Sequence, residues 1–429
     1  MSYLTPVPDE ITAFDLPVTG TLPTELNGRY VRNGPNPRPG EKSAHVFIGH
    51  GMLHGIRLRN GRAEWYRNRW VRTGMFVGHP SRRPGGNRDL AAVSANTHII
   101  EHAGRLMALV ETGLPHGITP DLDTIGPEDF DGRLTTAMTA HPKRDPGTGD
   151  LHFFGYAPQP PHLTYHRLDA TGKLVYSREI AGPGATMMHD FAITERHVVW
   201  LDLPVVFRPH LVGKTMPYQW DDDYGARLGL MRHDLPYAPV RWVDIDPCFV
   251  FHIGNAHEDA AGRVILDAVR YGPAEFAALW RTTSGTPDAE GVGRLHRWIL
   301  DPAGATEVSL DDRAVEFPTL DDTRIGRPAR YLYTTDDSAI IKYDLTGGSA
   351  VHRLPPKTYI GEAVFVPAIP GPRLEDDGWL LAITTRHDGS ASQLLVLDAS
   401  NPAAPPVAAV DLPRGVPAGF HGSWIPDEC

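Results

Sequence analysis

HGIRLRNGRAEWYRNRWV, residues 54–71, reads as an alternating run, a polar turn ending in Gly61, and a second alternating run. Glycine supplies the positive φ that a tight turn needs, so the stretch predicts a β-hairpin. The form recurs in THIIEHAGRLMALVE (97–111), LTYHRLDATGKLVYSREI (163–180) and FHIGNAHEDAAGRVILDAV (251–269). A glycine opens the second run at Gly61, Gly104, Gly149, Gly172, Gly262, Gly293 and Gly378, at spacings too irregular for a clean internal period.

Gly (43) and Pro (40) are spread along all 429 residues, which leaves little room for long helices and makes strands dominant. So many antiparallel hairpins in one chain must hide their edges. The radial repetition of a propeller does this, and a large sandwich or two barrels is the alternative. Segments 74–92 and 203–240 read as long loops over one face, a place where function often lies.

Composition narrows the function. With 41% hydrophobic and 22% charged residues the chain is globular, and its formal charge of −11 repels phosphate backbones, so no nucleic acid is expected. The start, MSYLTPVPDEITAF, shows neither secretory signal nor transit peptide, and a cytoplasmic protein is expected. The most apolar window, VVWLDLPVVF (198–207), is broken by Asp202 and Pro204 and is far short of the roughly 20 residues of a spanning helix. Cys248 and Cys429 are too few for a disulfide framework or thiolate site, which leaves His and carboxylates for any metal.

Of the 21 histidines, His102, His116, His162, His197 and His233 read as exposed residues with no special role. His141, His189, His252 and His421 each join an apolar, strand-like run to small or turn residues, as a strand residue facing an enclosed space would. Singly, each is better read as a satisfied core histidine. Together they offer neutral imidazoles suited to iron, zinc or copper. Glu111, Glu316 and Glu362 sit in apolar strands, where a buried carboxylate needs a partner and an edge carboxylate needs only water.

These residues also carry a resemblance. NGRYVRNGPNP (27–37), GMLHG (51–55), TAHPKRDPGTGDL (139–151), HDFAIT (189–194), FHIGNAHE (251–258), GEAVFVP (361–367) and PAGFHGSW (417–424) resemble, in order and from end to end, the carotenoid cleavage oxygenases. That family includes lignostilbene dioxygenases and the retinoid isomerase. The resemblance implies one domain over 1–429, an all-β, seven-bladed β-propeller under a dome of loops and short helices. It implies Fe(2+) held by His141, His189, His252 and His421, with Glu111, Glu316 and Glu362 behind them.

The implied reaction is oxidative scission of a carbon–carbon double bond by dioxygen, with no organic cofactor and no external reductant. Stilbene-cleaving members carry a lysine just before the first glutamate and a tyrosine upstream. Val110 and Phe76 stand there in this chain, which favours an apolar carotenoid or apocarotenoid alkene as substrate. The alternatives are a stilbene or phenylpropanoid alkene, a non-cleaving isomerase, or a binding propeller. The apolar and basic mixture of 203–220 fits peripheral membrane contact and fits equally a loop packed on the protein. In HVFIGHGMLHG (45–55), His50 and His54 have helical ligand spacing, but Gly49, Gly51 and Gly55 disfavour a helix. The resemblance makes this region structural, with His50 where the family carries Asp.

Overall fold

The opening stretch folds as its pattern predicts. In the computed structural model, which describes residues 2–427 except 42–44, 83–87, 236, 284–292, 370 and 372, strands Gly51–Arg59 and Arg62–Trp70 pair antiparallel. Asn60 and Gly61 between them take φ of 48° and 72°. Two successive positive φ values make the turn whose twist matches that of its strands. Gly104, Gly149, Gly172 and Gly262 also lie at positive φ, but Gly293 and Gly378 do not. Those two serve close approach instead: a Cβ on Gly378 would stand 2.4 Å from the Val366 carbonyl oxygen, and one on Gly293 would stand 2.5 Å from Cγ1 of Val269.

The hairpins assemble into a seven-bladed propeller. Blade one runs outward from Gly422–Pro426 through Gly28–Pro35, Gly51–Arg59 and Arg62–Trp70 to Thr12–Phe14. Blades two to six each have four strands in chain order, and their inner strands are His98–His102, Lys143–Arg144, Ala192–Ile193, Phe249–Glu258 and Glu316–Thr319. Blade seven begins at Val364–Pro367 and ends on Val18–Gly20. The ring is thus closed twice, by a C-terminal strand inside blade one and an N-terminal strand outside blade seven.

The core is a set of seams between blades. Ile56 and Tyr66 of blade one meet Leu381 and Leu394 of blade seven; Leu53 and Trp65 meet Ile99 and Ala108 of blade two. The largest seam spans blades four to six and buries Trp298 completely. This geometry corrects the reading of His102 and His116, which are only 3% and 1% exposed. His102 fills a seam, its Nε2 within 2.9 Å of the Asp169 carbonyl oxygen of blade three. His162, His197 and His233 are half-buried.

Segment 203–240 is shorter as a loop than its composition suggests. Arg227–Arg232 is a strand of blade four, and Val205–Phe207 pairs with Tyr218–Trp220 in a separate ribbon. Part of 74–92 lies outside the described residues. Pro273–Thr283 is the one α-helix among them, with Pro at its first position, where the missing N–H costs nothing. Its Trp280 stacks on Phe251, which brings the helix over the axial end of blade five.

Candidate metal centre

The inner strands of the propeller begin at one end of the axis, and the sequence-predicted histidines stand at those beginnings. His252 lies inside its strand; His141, His189 and His421 lie one to three residues ahead of theirs, where ladder pairing has not yet started. Each offers one ring nitrogen, and the four nitrogens lie within 4.8 Å of one another. Nε2 of His189 stands 3.0 Å from Nε2 of His141 and 3.3 Å from Nε2 of His252. Two metal–imidazole bonds of about 2.1 Å at a right angle would set their nitrogens about 3.0 Å apart.

The glutamates explain why those nitrogens face inward. Glu111 accepts from Nδ1 of His189, Glu316 from Nδ1 of His252 at 2.6 Å, and Glu362 from Nδ1 of His421 at 2.9 Å. Each carboxylate thereby fixes a tautomer that leaves the Nε2 lone pair free for a metal. Among the described residues no carboxylate meets the ring of His141. Glu111 and Glu362 lie just beyond strand ends rather than within strands as the pattern suggested. All three carboxylates are partnered, which removes the water-facing alternative.

Electrostatics favour the neutral form at His141 and His421, whereas at His252 burial is outweighed by Glu316, which raises it. His141 is 6% exposed, and burial, reinforced by the other three imidazoles, holds it well below the ordinary histidine range. Burial likewise lowers His421 to about 4 despite Glu362. Four imidazoles in contact, His141 and His421 buried and His189 and His252 partly so, cannot all be cationic, whereas a divalent ion satisfies the four lone pairs together. The donor set therefore fits a borderline metal such as ferrous iron.

Aromatic rings wall the centre. Phe317 stacks on His252 with ring centroids 5.2 Å apart, Phe251 meets His189 edge-on at 5.2 Å, and Phe47 lies between Phe251 and Phe420. Phe317 has φ of 52°, an unusual conformation for a bulky residue, held by its N–H donating to Glu316 Oε2 at 2.7 Å. Sequence reading missed this wall and also His98, which opens blade two and packs 5.2 Å from His421. The one available signal was their place beside the strand starts. Val110 is buried next to Glu111. The ring of Phe76 instead meets His50 and Trp70, neither of which belongs to the histidine group.

Comparison with known proteins agrees with this geometry. The family profile described as retinal pigment epithelial membrane protein matches residues 4–426. The chain belongs to this family, the carotenoid cleavage oxygenases. It is 38% identical to a carotenoid cleavage oxygenase of Mycobacterium tuberculosis over 99% of this chain and 96% of the relative. Its fold matches the lignostilbene dioxygenase of Pseudomonas brassicacearum with TM-score 0.89 and 27% identity, covering 100% and 98% of the two chains. It matches the cobalt-substituted apocarotenoid oxygenase of Synechocystis with TM-score 0.84 and 28% identity, covering 99% and 98%.

In this chain the histidines of 45–55 stand outside the four-histidine group. His54 is buried, with Nδ1 2.8 Å from the Tyr66 hydroxyl. His50 pairs through Nε2 with Glu41 at 3.3 Å, and His45 packs against Phe47 and Trp280.

Proposed function

We propose that this protein is a non-haem Fe(II)-dependent dioxygenase that cleaves one carbon–carbon double bond of an apolar conjugated alkene, of carotenoid or apocarotenoid type. The observation that carries this reading is the convergence of four imidazole nitrogens within 4.8 Å, three of them oriented by carboxylates, beside an aromatic wall. His141, His189, His252 and His421 would hold the iron, which supplies the one-electron chemistry that lets dioxygen react with an alkene. In balance, one oxygen atom goes to each alkene carbon, the double bond breaks, and two carbonyls form. The alkene provides the electrons.

The chain's own part is placement and exclusion of water. Glu111, Glu316 and Glu362 hold three imidazoles in position, while Phe47, Phe251, Phe317 and Phe420 offer flat apolar faces to a flat apolar substrate. No general acid or base is required. Buried Val110, which stands before Glu111 in place of a lysine, supports an apolar substrate over a phenolic one. Structural likeness to a lignostilbene dioxygenase favours a second reading, a stilbene-type alkene.

The shared seams around the ring support one domain over 1–429. For 203–220, Leu203 and Val205 are buried while Val212 is 56% exposed near Lys214, so a rooted segment presents an apolar and basic tip. This supports peripheral contact with a membrane by a cytoplasmic protein. Among the described residues no helix is long and apolar enough to cross one.

The test is incubation of iron-loaded protein with a panel of apocarotenoids and stilbenes under labelled dioxygen. Expected are two carbonyl products, each carrying label after correction for exchange with water. Unlabelled products from every substrate would overturn the oxygenase reading, and cleavage of stilbenes alone would replace the carotenoid reading.

A further inference from the structure

Each carboxylate behind the histidines has two oxygens, and the imidazole uses only one. For Glu362 the other, Oε2, accepts the Gly422 backbone N–H at 2.8 Å. For the remaining two it accepts a phenol: Tyr156 donates to Glu111 Oε2 at 2.6 Å, and Tyr271 donates to Glu316 Oε1 at 2.5 Å. Both tyrosines end the second strand of a blade, Leu151–Tyr156 and Val264–Tyr271, and reach the neighbouring blade. Tyr156 of blade three meets Glu111 beside blade two, and Tyr271 of blade five meets Glu316 of blade six. Burial, then the adjacent carboxylate, keeps both phenols well above their ordinary range, so both remain donors.

We infer that Tyr156 and Tyr271 are positioning residues of the metal centre, acting through Glu111 and Glu316 on His189 and His252. This rests on the four histidines holding a metal. A carboxylate bound by one imidazole alone can rotate about its terminal torsion; a phenol on the far oxygen fixes that torsion and with it the imidazole ring. The phenol also draws charge from the carboxylate and tempers the donor strength of the paired imidazole, an effect that the absorption bands read, while half-saturation reads the larger loss of positioning. His421 has the same arrangement with a main-chain clamp on the far oxygen, and at Glu316 the Phe317 N–H shares the oxygen that meets His252, leaving the far oxygen to the phenol. Among the described residues no carboxylate meets His141, so the centre is built with unequal ligands.

The test is titration of metal-free full-length protein with Co(II), reading half-saturation and the visible absorption bands. Tyr156→Phe and Tyr271→Phe are each expected to raise half-saturation about tenfold and to shift the bands. Tyr165→Phe is the control: its phenol bonds Nδ1 of His152 at 2.7 Å in the blade that carries Tyr156, away from the centre. It should leave both readouts unchanged. In Glu111→Gln protein, adding Tyr156→Phe should weaken Co(II) binding no further, because the tyrosine acts through the carboxylate. With iron, each variant should lower kcat and leave KM within twofold.

Wild-type titrations from both phenylalanine variants, an equal effect from the control, or additive effects in the double variant would overturn the inference while leaving the metal reading intact. Failure of the wild type to bind either Co(II) or Fe(II) would overturn both. Should one variant not fold, the other carries the test alone.

Discussion

Glu362 joins His421 to the backbone that follows it, accepting from Nδ1 at 2.9 Å and from the Gly422 N–H at 2.8 Å. One carboxylate therefore sets both the ring and the chain direction at the closing strand of the propeller. Glu362→Gln can keep one of these bonds only by presenting its NH2 group to the other donor. It should weaken Fe(II) binding by about 10–100-fold, measured by competition with a chelator.

Removing one of the proposed iron ligands should separate fold from function. The four histidines stand at strand beginnings rather than in the seams, so His252→Ala should shift the melting temperature by only a few degrees and abolish iron retention and product formation. Circular dichroism and metal analysis on the same sample check both parts. A collapsed fold would show instead that the histidines carry the architecture.

Buried neutral histidines make the protein acid-sensitive. His166 is 2% exposed between the hydroxyls of Thr136 and Ser177, and burial lowers it to about 4. The unfolded chain takes up this proton near pH 6.5, whereas the native state resists until about pH 4, so stability falls as pH drops through that window. At about 1.4 kcal/mol per unit the loss reaches about 3 kcal/mol by pH 4. Urea midpoints from pH 7 to 4 should fall steeply, and less steeply for His166→Gln.

The double closure predicts where the ring is vulnerable. Ile425, 3% exposed, pairs with Arg29 in blade one and packs into the seam with blade two. Ile425→Ala should cost about 2–5 kcal/mol in denaturant unfolding. A loss below about 1 kcal/mol would mean that the C-terminal strand is not part of the cooperative unit.

The departure at residue 50 is also testable. Aspartate there would set a second carboxylate against Glu41, the present partner of His50 at 3.3 Å. His50→Asp should destabilise by on the order of 1 kcal/mol, and adding Glu41→Gln should recover most of it.

Local physics made the hairpins legible, because Gly61, Gly104, Gly172 and Gly262 mark turns that form from a few adjacent residues. The quoted segments from 27 to 424 made the family legible, and with it the four histidines and three glutamates as a set. Sequence periodicity alone left propeller, sandwich and barrel open, because a hairpin does not encode its neighbour. The ring decided what no segment contains. It pairs Glu111 with His189 across 78 residues of chain, seats Phe317 on His252, closes blade one with Gly422–Pro426, and buries His102 in a seam that its polar neighbours did not suggest. Each of these depends on which blade stands beside which. Adjacency of that kind is set by packing of whole sheets around an axis, whereas turns and alternation are set by the chain within a few residues.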